Sequence, residues 1–174
     1  FRDIPTGSAA SVTMTLAIGL LLALARSISA SDRIIKGGAW QRQKGMELRG
    51  KTLGVIGYGK IGRRVAEMAA ALGMNVVAHD VLVERPLVVS ERFRFAAFDD
   101  LLASSDAVSL HCPPLSNGQR LIDATTLAKM RRGAILVNAA RYDLLDAEAV
   151  ATALDDGHLA GLAIDVFDRE PPVG

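Results

Sequence analysis

Thr52-Leu53-Gly54-Val55-Ile56-Gly57-Tyr58-Gly59-Lys60-Ile61-Gly62 is the stretch that decides the fold. A short apolar run enters a Gly-x-Gly-x-x-Gly turn, and the turn opens a helical pattern whose apolar face reads Ile61, Val65, Met68, Ala69 and Leu72. A second apolar stretch, Asn75 to Ala78, then delivers Asp80, eighteen residues beyond Gly62. Each part of this strand–turn–helix–strand unit has a physical task. Gly57 permits the tight turn, Gly59 lacks the β-carbon that would hold a pyrophosphate off the backbone, and Gly62 lets helix and strand approach closely. The start of the helix offers unpaired N–H groups and a partial positive charge to phosphate oxygens. Asp80 is spaced to accept hydrogen bonds from a ribose 2′-hydroxyl, and its charge disfavours a 2′-phosphate. A glycine triplet alone is weak evidence. Set between two strands, with the acid at this distance, it points to a dinucleotide site.

Beyond Gly62 the chain alternates strand and helix. Strands are expected near 53–57, 75–79, 106–110, 134–138 and 160–165, with a weaker one near 93–96; helices are expected at 60–73, 98–104, 123–130 and 146–156. In the last of these Ala147, Val150, Ala151 and Leu154 share a face, Asp146 stands at the N-cap and Glu148 in the first turn. Asp123 is a cap of the same kind, and Gly157 sits where a helix C-terminal glycine belongs. The alternation implies an α/β fold, a doubly wound parallel sheet between two helix layers, with strand order 3-2-1-4-5-6. Ligands of such sheets lie beyond the carboxyl ends of the strands. The residues there are Asp80, His111-Cys112-Pro113, Ala139-Ala140-Arg141 and Asp165. The polar Ser27–Gly50 stretch, with Gly37-Gly38, reads as a connecting segment.

Composition agrees. The 174 residues suffice for one domain with a real core, half of them are hydrophobic, and aromatics are few. That profile suits a parallel sheet covered on both faces. A net charge of +1 provides no global field to attract nucleic acid. The single cysteine, Cys112, rules out a disulfide within the chain and a cysteine-based zinc site, makes a reducing, cytoplasmic setting the default, and reads as a small packed residue. Met14 to Ala25 is nearly all apolar, followed by Arg26-Ser27-Ile28-Ser29-Ala30, a pattern also found in secretory signals. It is too short to span a bilayer, and Leu16, Ala17, Leu20, Leu21 and Leu24 form one helical stripe. A helix buried in a core or between subunits is the expectation, with no membrane contact.

The strand ends also carry a family resemblance. Gly45 to Gly54 resembles the segment entering the first strand in the D-isomer-specific 2-hydroxyacid dehydrogenases, and Ser11 to Ala25 resembles the helix that leads into their nucleotide domain. Leu101 to Pro113 is similar to the second motif of that family, and Gly133 to Arg141 with Ala160 to Phe167 and Glu170-Pro171 is similar to the third. The resemblance implies an NAD-dependent oxidoreductase that passes hydride between the nicotinamide and C2 of a small 2-hydroxy or 2-oxo acid. By the same resemblance Lys60 and Ile61, within the cofactor-binding turn of Gly57, Gly59 and Gly62, would present backbone to the pyrophosphate, and Asp80 would hold the adenosine ribose. Cys112 and Pro113 would line the adenine, Ala139, Ala140 and Arg141 the nicotinamide half, and Asp165 the carboxamide. Arg141 would also hold the substrate carboxylate, a task suited to a guanidinium fork, and Glu170 would raise the pKa of a catalytic histidine. On the residues alone, Arg141 is either a site residue or a surface arginine, and Glu170 is either a site residue or loop charge.

None of His79, His111 and His158 stands where the catalytic histidine of the family does. The expected organisation is therefore a leading helix and connector over 1–50 and an NAD-binding domain over 51–174, cut from a larger enzyme whose substrate domain and histidine lie elsewhere. Tyr142 occupies a position where the family usually has glycine, which keeps open a non-catalytic NAD-binding sensor or scaffold as the competing class. The apolar leading helix and the resemblance together suggest a homodimer.

Overall fold

The computed structural model describes residues 9–82 and 88–169. Two helices, α1 (Ala9–Ala25) and α2 (Ile28–Lys36), precede the sheet. The chain then runs β1 (Thr52–Ile56), α3 (Lys60–Ala71), β2 (Asn75–His79), β3 (Val88–Ser90), β4 (Phe93–Phe95), α4 (Phe98–Ser104) and β5 (Ala107–Leu110). It ends with α5 (Ala124–Lys129), β6 (Ala134–Asn138), α6 (Ala147–Asp155) and β7 (Leu159–Ile164). These elements build one sheet in the order β3-β4-β2-β1-β5-β6-β7. All neighbours pair in parallel except β3, which returns antiparallel to β4. The six parallel strands thus follow the expected 3-2-1-4-5-6 order. The short antiparallel β3 is an addition that the sequence pattern did not announce.

The central strands are apolar throughout because both of their faces are covered. Leu53, Val55, Val76, Ile135 and Val137 point into one core, shared with α1 and α3. Ile56, Val77, Val108, Leu110 and Leu136 point into the other, beneath α4, α5 and α6. In α1, Ala17, Ile18, Leu21 and Ala25 are buried, and Leu24 lies so close to Gly161 that a β-carbon there would stand 3.0 Å from its Cδ2. The apolar leading segment is accordingly a core helix. No single described helix is long and apolar enough to cross a membrane.

The connecting-segment reading of Ser27–Gly50 needs correction, because Ile28–Lys36 is helical. Ser27, with a left-handed φ of 52°, turns the chain between α1 and α2. No residue of α2 is buried, so the sequence offers only three isoleucines in nine residues in place of a sustained apolar stripe. Caps were easier to foresee. The Asp123 carboxylate accepts from Thr126 N–H at 2.8 Å, with the Thr126 hydroxyl on the reciprocal side, and Asp146 accepts from Ala149 N–H. These bonds satisfy the otherwise open first turns of α5 and α6.

The two sheet edges differ. β3 is three residues long and its pairing is interrupted by a register shift between Val88 and Ser90. At the opposite edge β7 is six residues long, with Gly161 to Ile164 half-buried.

Candidate functional site

The carboxyl ends of β1, β2, β5, β6 and β7 lie side by side, and the expected site residues follow them. Gly57 leaves β1 with φ at +90°, and its N–H donates to the His79 carbonyl at 2.9 Å. A β-carbon at 57 would stand 2.6 Å from the backbone carbonyl of His111, so the turn presses directly on the end of β5. At Gly62 a β-carbon would run into the Gly57 carbonyl, which shows why α3 can pack against β1 only with glycine there. Gly59 is different: nothing lies within 4 Å of where its β-carbon would be. Gly59 is the N-cap of α3 and supplies no side-chain acceptor, so the first N–H groups of the helix face that open space. Lys60 is exposed there and Ile61 half-buried. A further glycine, Gly54 inside β1, lacks room because Leu101 Cδ2 and Ser105 Oγ of the α4 segment would lie 2.5 Å from its β-carbon. In the sequence that glycine looked like part of the strand and nothing more.

Asp80 is held from two sides. Its carboxylate accepts from Tyr58 N–H at 2.7 Å and from Leu82 N–H at 2.9 Å. The acid thereby ties the end of β2 to the glycine turn, and four lone-pair sites on its oxygens leave room for further donors. Cys112 faces the same region. Burial pushes its thiol pKa up, and the nearby Asp80 charge adds to the effect. The thiol is protonated and poorly nucleophilic at neutral pH, as expected for a packed residue. Pro113 follows at the exposed rim.

At the end of β6 a residue that sequence reasoning passed over organises the loop. Asn138, fully buried, accepts from Ala140 N–H at 3.0 Å and donates from Nδ2 to the Arg141 carbonyl at 2.8 Å. Its own carbonyl accepts from Asp165 N–H at 3.1 Å. The signal was there in the sequence: an asparagine closing an otherwise apolar strand. Ala139 is buried, while Arg141 is exposed, its guanidinium turned onto the Ala140 carbonyl at 2.8 Å. Asp165, also exposed, begins the segment after β7. Asn138 therefore links the Arg141 and Asp165 backbones at adjacent strand ends. Tyr142 begins a single 3-10 turn, is 46 % exposed, and lines a groove of about 600 Å³ between α6 and β7 with Leu154, Leu162, Ile164 and Phe167. Glu170 lies outside the described residues.

Each of the three histidines makes a hydrogen bond within the fold. His79 Nδ1 bonds the Ala96 carbonyl, His158 Nε2 the Leu127 carbonyl, and His111 Nε2 the Ser109 hydroxyl. Burial pulls the His111 pKa down to about 4, which leaves its ring neutral at physiological pH. Among the described residues no group of three or more His, Cys, Asp or Glu side chains converges on a metal position.

Comparison with known proteins settles the family. The model of the D-isomer specific 2-hydroxyacid dehydrogenase NAD-binding domain matches residues 18–174. The chain belongs to that family. The D-3-phosphoglycerate dehydrogenase of Archaeoglobus fulgidus is 44 % identical over 170 residues, covering 97 % of this chain and 32 % of that protein. Among solved structures, a glyoxylate reductase from Paecilomyes thermophila superposes with a TM-score of 0.84 at 35 % identity, over 95 % of this chain and 52 % of its own. The NAD-dependent formate dehydrogenase of Staphylococcus aureus, in complex with NAD, gives a TM-score of 0.87 at 31 % identity, over 97 % and 51 %. The NAD-binding chain thus spans about a third of the first curated relative and about half of these two structures. The cofactor of this domain family is NAD, and the open cradle at Gly59, the uncapped start of α3 and the acid at Asp80 fit it.

Proposed function

We propose that the protein containing this chain is an NAD-dependent oxidoreductase acting at C2 of a small D-2-hydroxy acid or the corresponding 2-oxo acid. The observation that carries the reading is the convergence of the glycine cradle, Asp80 and the Asn138-organised Arg141 loop at one end of the sheet. NAD, when bound, supplies the hydride donor or acceptor in its nicotinamide ring. The chain's own residues hold and orient. Gly57 and Gly62 shape the turn, and Gly59 with the Lys60 and Ile61 backbone meets the pyrophosphate. Asp80 takes the adenosine ribose hydroxyls, Cys112 and Pro113 border the adenine, and Ala139, Ala140 and Arg141 border the nicotinamide half. Asp165 holds the carboxamide. Arg141 has its guanidinium exposed and, among the described residues, engaged only with the neighbouring carbonyl, so it can swing onto a substrate carboxylate and the C2 oxygen. Glu170 supports the histidine that moves the C2 hydroxyl proton, and that histidine comes from outside this chain. In this reading 1–50 is a leading helical segment and 51–174 the NAD-binding domain proper, the substrate domain being contributed by other sequence.

The test is turnover by the full-length protein over a panel of 2-oxo acids, followed by NADH absorbance, with Arg141→Ala alongside. Activity in the parent that falls at least a thousandfold in the variant is the expected outcome, in keeping with loss of a group that both binds and polarises. No turnover on any acid, with NAD binding intact, defeats the proposal.

The protein is further proposed to be a homodimer in a reducing, cytoplasmic setting. Its unpartnered apolar surface supports the dimer: Ile28 and Ile35 on α2 are 54 % and 53 % exposed, and Trp40 is 81 % exposed. Sedimentation at tens of micromolar is expected to give twice the chain mass, and a single-chain mass at that concentration contradicts the dimer.

A further inference from the structure

We propose that Ser109 fixes the tautomer of His111 so that its Nδ1–H is presented as a hydrogen-bond donor to an oxygen of the bound dinucleotide beside the glycine turn. The inference rests on the NAD site proposed above and adds a contact to it.

Ser109 is 3 % exposed on β5, in register with Val55 on one side and Val137 on the other. A hydroxyl in such apolar company is costly unless it is paired. Its partner is His111 Nε2, at 2.8 Å. The hydroxyl hydrogen needs an acceptor, and Nε2 is the acceptor at hand, so Nε2 carries the lone pair and the neutral ring holds its proton on Nδ1. Burial of the ring favours that neutral form. Nδ1 itself has no partner among the described residues. The only buried side-chain polar atom left unpaired among them is Asp143 Oδ1, so Nδ1 keeps some exposure rather than being sealed in the core.

The position is what gives this donor a use. The His111 carbonyl lies against the apex of the turn, 2.6 Å from where a β-carbon of Gly57 would be, and its N–H donates to Ile56 O at 2.7 Å. His111 therefore follows β5 beside the end of β1, at the point where the strand order reverses, the place where such folds receive a dinucleotide. A neutral N–H there adds a donor without adding charge.

Asparagine and glutamine divide the two roles of the ring. Asn places an amide near Nδ1 and loses contact with Ser109, whereas Gln reaches the Nε2 position, satisfies Ser109 and lacks the Nδ1 donor. Calorimetric titration of this chain with NAD is expected to show His111→Gln weakened about five- to tenfold and His111→Asn within about twofold of the wild type, the loss matching one net hydrogen bond. Ser109→Ala, which releases the tautomer, falls between them. Thermal unfolding of each variant separates lost contact from lost fold. On the wild type alone, nitrogen-15 resonances of the His111 ring should report a proton on Nδ1 and move when NAD is added. The opposite ranking, with Gln rescuing and Asn failing, makes His111 a partner of Ser109 only and overturns the proposal, as does an Nε2-protonated ring. Failure of a different kind is recognisable: if the wild type and Asp80→Ala both leave NAD unbound, the NAD site itself is wrong.

Discussion

Gly59 and Gly62 sit in one motif for opposite physical reasons, and substitution separates them. At Gly62 a methyl group collides with the Gly57 carbonyl, so α3 must shift off β1. Gly62→Ala is expected to lower stability by about 1–3 kcal/mol in denaturant unfolding, the usual cost of overpacking. At Gly59 the same methyl meets open space and φ is an ordinary −73°. Gly59→Ala should change stability by less than about 1 kcal/mol while weakening NAD at least roughly tenfold, because the methyl projects into the space the proposed site gives the pyrophosphate. Equal effects of both on NAD affinity and unfolding would refute the distinction. His111 gives a pH prediction at the same scale. Its pKa falls from 6.5 to about 4 in the fold, so the unfolded chain takes up a proton that the native ring refuses. The stabilising contribution is present above about pH 6.5 and is lost as pH falls toward 4, amounting at most to roughly 3 kcal/mol. Comparing unfolding of the wild type and His111→Asn at pH 7 and at about pH 4.5 reads this directly: the variant should lose less stability on acidification.

Elements with a local cause were legible in the sequence, and elements made by tertiary company were not. The β1–turn–α3–β2 unit could be read because glycine spacing, apolar period and the acid agreed with one another, and the Asp123 and Asp146 caps because capping is a local bond. Asp123→Ala should therefore cost about 1 kcal/mol of stability in a denaturation curve, and no change would remove the capping bond from the account. Helix α2 escaped notice because none of its residues is buried, and β3 because a three-residue antiparallel strand has no period to detect. The proposed site divides the same way. Asp80, Arg141 and Asp165 were reached by counting from strand ends. Asn138, which ties two of those loops together, and the packing need for glycine at 54 depend on neighbours distant in sequence. Ser109 likewise looked like an ordinary strand residue until its hydroxyl was seen facing the His111 ring.

For the molecule as a whole, Asp80 is bonded to the glycine turn. NAD should then act as a stabiliser by mass action: at a hundredfold excess over its dissociation constant the gain is about 2.7 kcal/mol. A thermal shift of several degrees with NAD, and a smaller one with NADP at the same concentration, is expected. Equal shifts would contradict the role given to Asp80. The unequal borders of the sheet carry a last consequence. At one margin a three-residue strand runs backwards with a broken register, a poor template for any incoming chain. At the other, β7 offers a longer ladder of donors and acceptors beside half-covered Leu162 and Ile164. Growth of this sheet is thus lopsided: more of its own polypeptide, a sister molecule or an aggregating neighbour would extend it more readily past β7 than past β3.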